Sequence, residues 1–143
     1  MKFRNYELSL LAQLLFQMKL SGKKSRMRTR FILQIDSYLK NTLQPEIQEL
    51  VEEYGLRDID NELIPNIEGG YELIPERAEE YHKEYDEVLN EYYVVEVNET
   101  NKDMILSIAE VLLDCEIELS NDEAVLYDRW CEQFENAVAK YNK

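Results

Sequence analysis

The sequence predicts an α-dominated α+β fold, with about five helices packed around one core and a small β-hairpin or three-stranded sheet. Three observations carry this prediction. Apolar residues recur at three- and four-residue steps through most of the chain, the period of helices with one buried face. Gly69-Gly70 separates two short β-prone runs, and Tyr92-Tyr93-Val94-Val95-Glu96-Val97 is rich in β-branched and aromatic residues, the chemistry of a hairpin and a strand. The third is composition: 143 residues, 45% of them apolar, with four glycines and three prolines. That suits a single domain over 1-143, burying roughly two thirds of its unfolded surface, and it argues against disorder.

Three segments make up that domain: an N-terminal helical pair with a basic turn (1-56), a hairpin, acidic helix and strand (57-97), and C-terminal helices (98-143). Lys2-Phe3-Arg4 suits a very short strand. Asn5 can cap a first helix from Tyr6 to Leu20, with Leu8, Leu11, Leu15 and Met18 on one face and Gly22 as its stop. In the second helix, Phe31, Ile35, Leu39, Leu43, Ile47, Leu50 and Tyr54 form one apolar face. Pro45 must kink that helix near Asn41 or become a first-turn residue of a new one. Glu62-Leu63-Ile64-Pro65 recurs as Glu72-Leu73-Ile74-Pro75. We read the recurrence as hairpin chemistry with positive φ at Gly69 and Gly70, and the Tyr92–Val97 strand as its third partner. Pro75 opens a helix with Ala78, Tyr81, Tyr85, Val88 and Tyr92 on one face. A fourth follows Thr100, with Met104, Ile105, Ile108 and Leu112. The last follows Ser120, with a seam of Ala124, Tyr127, Cys131, Phe134, Val138 and Tyr141 predicted to be buried through Cys131 and Phe134.

Composition narrows the chemistry. His82 is the only histidine, which removes the usual general base and any two-histidine metal site. Glu79-x-x-His82 has a di-metal spacing, but such sites use it twice and it occurs once. No phosphate loop, nucleophile elbow or HExxH is present. The sequence therefore points away from an enzyme and implies no catalytic, metal or cofactor residues. Cys115 and Cys131 fall in helical patterns, as reduced core cysteines do. The apolar run Leu8–Leu20 spans 13 residues, too short to cross a bilayer. With Glu7 interrupting its approach it also makes a poor signal peptide.

Charge is the informative feature. The formal net charge is -14, yet residues 1-30 hold eight Lys/Arg and one acid. Lys23, Lys24, Arg26, Arg28 and Arg30 form a cationic cluster. With Ser25 as N-cap, the arginines fall at the positive end of the helix macrodipole, so they require an anion. We expect at least two of them to meet carboxylates or helix-end carbonyls within the chain. The acidic face of the third helix, with Glu76, Glu79, Glu80, Glu84 and Glu87, is the second candidate surface, either simply solvated or imitating nucleic-acid phosphates. A net charge of -14 disfavours nucleic acid itself as a partner.

Asn5-Tyr6-Glu7-Leu8, then Met18-Lys19-Leu20-x-Gly22-Lys23-x-Ser25-Arg26-x-Arg28-Thr29-Arg30-Phe31, resembles the N-terminal signature of a family of small siphophage and prophage proteins of unknown function from Gram-positive hosts. The likeness is strongest over residues 1-40. The family has no established catalytic residues to carry over. The resemblance implies a phage origin and a late-gene neighbourhood between tail and lysis genes. It leads us to expect a non-enzymatic accessory protein that is tail-associated or assembly-related and contacts a phage structural or host protein. It would reside in the host cytoplasm during infection or in the virion. The competing expectation, from the acid load, is an intracellular DNA-mimic-like inhibitor of a host defence or nucleic-acid enzyme. Oligomeric state is left open.

Overall fold

The computed structural model describes residues 1–141 and is an α-dominated α+β fold. In order, the elements are β1 (Lys2–Arg4), a 3-10 turn (Asn5–Glu7), α1 (Leu8–Gln17), α2 (Gly22–Tyr38), a π-helical turn (Leu39–Leu43) and α3 (Gln44–Tyr54). There follow a 3-10 turn (Pro75–Arg77), α4 (Ala78–Asn90), β2 (Tyr92–Val94), α5 (Lys102–Leu113) and α6 (Asn121–Tyr141). The chain divides into two compact units, one of residues 1–36 with 92–143 and one of residues 37–91.

The first unit holds nearly all of the fully buried apolar side chains. Leu8, Leu11 and Leu15 of α1, Met27, Phe31 and Ile35 of α2, Ile105, Ile108 and Leu112 of α5, and Trp130, Cys131 and Phe134 of α6 are all buried. Phe134 sits at the centre, its ring 6.0 Å from those of both Phe3 and Phe31, so the predicted seam of the last helix is a core face. β1 and β2 pair antiparallel with Phe3 opposite Tyr93. The three-stranded sheet expected from the sequence is thus corrected: Tyr92–Val94 pairs with the N-terminal strand, and residues 55–73 are joined only by isolated bridges, Gly55 with Leu73, Arg57 with Leu63 and Pro65 with Tyr71.

Two helix boundaries also differ from expectation. α1 ends at Gln17, where Met18 turns extended with ψ 133°. α2 begins at Gly22, whose φ is +60°, so this glycine opens a helix rather than closing one. Ser25 lies inside α2, and its carbonyl accepts from Thr29 Oγ1 at 3.0 Å.

In the second unit, Pro45 is resolved without a break. Its missing N–H and its ring would conflict with a regular α-turn. The preceding turn widens to π geometry, with the Gln44 N–H donating to Leu39 O, and Pro45 enters the first turn of α3. α3 packs on α4. Arg77 joins them, its guanidinium 4.3 Å over the Tyr54 ring and within 3.4 Å of Glu53 and 3.5 Å of Glu80. Leu43 and Tyr54 are the fully buried apolar residues of this unit; the rest of its apolar face is half-buried or exposed.

Candidate functional site

Residues 54–74 form a three-armed motif closed by a ring of backbone hydrogen bonds. The Ile64 N–H donates to Leu56 O at 3.1 Å, Leu56 N–H to Glu72 O at 2.8 Å, and Glu72 N–H to Ile64 O at 2.8 Å. The three residues are eight apart in sequence, and each arm repeats the same closure. Asp58 N–H meets Glu62 O at 2.8 Å in the first arm, Asn66 N–H meets Gly70 O at 2.9 Å in the second, and Ile74 N–H meets Tyr54 O at 2.9 Å in the third. The third arm runs on into α3 and α4; the first two end in tight tips.

The two tips are the same turn built twice. Asp58 Oδ1 accepts from the N–H groups of Asp60 at 2.8 Å and Glu62 at 3.1 Å. Asn66 Oδ1 accepts from those of Glu68 at 3.0 Å and Gly70 at 2.8 Å. These are Asx turns, in which a short polar side chain replaces a backbone acceptor. Each needs one left-handed residue, supplied by Asn61 with φ 63° and by Gly69 with φ 88°. Gly70 has no positive φ, which corrects the expectation that both glycines would supply one. The first tip is further held by Arg57, which donates to Asn61 O at 3.0 Å while pairing with Glu52 Oε2 at 2.5 Å.

At equivalent places each tip carries an isoleucine with no cover, Ile59 at 100% and Ile67 at 103% exposure, followed by a carboxylate, Asp60 or Glu68. A large β-branched side chain at the apex of an ordered turn gains nothing from the fold it sits on. It occurs here twice, at one register. This pair of tips is the strongest candidate contact site on the molecule. Sequence reasoning missed it because the Glu-Leu-Ile-Pro copies, ten residues apart, mask the period of eight. The usable signal was Asp58-Ile59-Asp60-Asn61 echoed by Asn66-Ile67-Glu68-Gly69.

The cationic cluster is divided by the fold. Arg28 lies across the end of α1 and donates to Leu15 O at 3.4 Å and to Met18 O. Lys23 faces Asp103 and Lys24 faces Glu110, each at 3.7 Å. Among the described residues Arg26 and Arg30 meet no carboxylate or carbonyl, and both are exposed. The expectation that two arginines would be internally paired is therefore corrected to one. The physical reason is the earlier start of α2, which places Arg26, Arg28 and Arg30 beyond its first turn, where the macrodipole no longer demands an anion.

On α4 and the turn before it, Glu76, Glu79, Glu80 and Glu87 are exposed and Glu84 is half-buried; Glu80 pairs with Arg77. Within the first unit, α5 counters the lysines of the cationic cluster through Asp103 and Glu110. Charge follows the two units. Residues 37–91 hold four Lys/Arg against sixteen Asp/Glu, net -12 of the chain's -14.

Glu7, unremarkable in sequence, has 0% exposure. Its Oε2 accepts from the Arg4 N–H at 2.8 Å, and its Oε1 faces the Arg129 guanidinium as an ion pair rather than a well-directed hydrogen bond. In α6, burial pushes the Cys131 thiol above its usual range, and both cysteines are free. No helix among the described residues is long and apolar enough to cross a membrane. Comparison of the chain with protein families, with curated proteins and with solved structures finds no match.

Proposed function

We propose that this protein is a phage accessory protein, tail-associated or assembly-related, that works without catalysis by protein–protein contact through its paired isoleucine tips. The observation that carries the contact reading is the full exposure of Ile59 and Ile67 at equivalent positions of two ordered turns. Exposed apolar residues on a rigid frame lose little entropy on docking, and loops held by a scaffold are where binding residues concentrate. The phage origin and late-gene neighbourhood rest on the resemblance of residues 1-40. A phage structural protein or a host protein is the class of partner, met in the host cytoplasm during infection or within the virion.

A second reading is favoured by one observation, the -12 charge gathered in residues 37–91. On that reading the protein is an acidic inhibitor of a host defence or nucleic-acid enzyme. Mass spectrometry of purified particles, together with the Ile59→Asp/Ile67→Asp double variant, separates the two. An accessory protein is found in or on particles, and the variant folds normally but is not incorporated. A protein absent from particles, whose effect on a host enzyme survives the tip substitutions, belongs to the inhibitor class.

A further inference from the structure

The tips need a surface to meet, and the chain carries one of complementary chemistry. On α2, Arg26, Arg30 and Leu33 follow at four- and three-residue steps and so share one helix face. Leu33 is 61% exposed. The two guanidinium groups, one turn apart, repel one another, and neither has a carboxylate or carbonyl partner among the described residues, although Lys23 and Lys24 pair with carboxylates and Arg28 with backbone carbonyls. The tips present the converse set: Ile59 beside Asp60 and Ile67 beside Glu68, with neither carboxylate in an ion pair among the described residues.

We infer that a second copy of this chain is the partner, its Ile59 and Ile67 tips seated on the Arg26–Arg30–Leu33 face. This rests on the reading of the tips as contact sites. Both tip isoleucines, both arginines and Leu33 are exposed. Charge selects the orientation between copies. Residues 37–91 carry -12 and the rest of the chain -2, so acidic units repel each other and approach only the unit bearing the free arginines. Nucleic acid is a poorer occupant of that face: two free cations give little phosphate affinity, and an exposed leucine adds nothing to it.

Sedimentation velocity of the full chain, up to millimolar concentration at low and moderate salt, tests this. The expected result is reversible association that weakens as salt rises. Arg26→Gln/Arg30→Gln weakens it about tenfold, the effect of two exposed ion pairs. Arg26→Glu/Arg30→Glu and Asp60→Lys/Glu68→Lys each abolish it, and mixing those two charge-reversed proteins restores it. A chain that stays monomeric, or association indifferent to both sets of variants, overturns the inference, as does a double-stranded DNA oligomer that binds the wild type and not the glutamine variant. A monomer whose tips still touch a different protein during infection overturns only this inference; tips that touch no protein overturn the contact reading as well.

Discussion

Glu7 shows how one side chain fixes the N-terminal segment. Its carboxylate closes the turn from β1 to α1 through the Arg4 N–H and reaches α6 through Arg129. Removing one member of a buried pair strands the other charge and costs about 3–5 kcal/mol. Arg129 is 35% exposed, which places Glu7→Ala at about 3 kcal/mol, read as a lower urea midpoint with unchanged slope. Glu7→Gln, which keeps an acceptor for Arg4, loses less. A Glu7→Ala protein within 1 kcal/mol of wild type would contradict the pair's role. The sequence did not mark Glu7 as buried or paired, because a buried charge is a tertiary fact: its partner lies 122 positions away. The arginine cluster was legible as a feature needing explanation, but its division into one internal and two exposed guanidinium groups depended on a helix start four residues earlier than Ser25 as N-cap would set it.

At the scale of elements, the three-armed motif makes separate demands on its glycines. A Cβ at Gly55 would lie 2.5 Å from Val51 O, a backbone atom, and closer still to Leu63 Cδ2. A Cβ at Gly69 would meet open space but would sit on a left-handed residue, and one at Gly70 would contact the Asn66 side chain at an ordinary 3.4 Å. We therefore predict the order of destabilisation Gly55→Ala, then Gly69→Ala at about 1 kcal/mol, then Gly70→Ala near zero. Thermal melts of the three proteins check the order, and Gly70→Ala as the most harmful would refute the turn assignment. Periodicity and Gly-Gly correctly marked a turn here, and the long helical stripes were read nearly to their ends. The ring through Leu56, Ile64 and Glu72 was not readable, because it is made by hydrogen bonds between single residues of three runs rather than by strands long enough to alternate. The pairing of Tyr92–Val94 with Lys2–Arg4 was hidden for a related reason: each strand was seen, but contacts across some ninety residues leave no local pattern.

For the whole molecule, core and charge are distributed in opposite ways. The first unit holds the buried aromatic and aliphatic core and a charge of -2; the second holds -12 and a half-buried interior. Local opening follows buried apolar contact, so native-state hydrogen exchange is expected to find its slowest amides in α5 and in α6 around Phe134, with residues 55–74 exchanging sooner. A slowest class lying in the three-armed motif would contradict that partition. Stability is also expected to fall as pH rises from about 9, since burial raises the folded-state pKa of Cys131, Tyr93 and Tyr81. The unfolded chain then releases those protons first, and stability is lost from the unfolded pKa upward. A melting temperature unchanged between neutral pH and pH about 10.5 would refute the linkage. On the function proposed above, the two apolar tips of the acidic unit do the contacting. The most direct test places a photo-crosslinking amino acid at position 59 or 67 and, as a control, at exposed position 125, then identifies adducts formed during infection. The account predicts protein adducts from 59 and 67 in shared identity and none above background from 125. Tips that crosslink to nothing, or only as often as position 125, would contradict it.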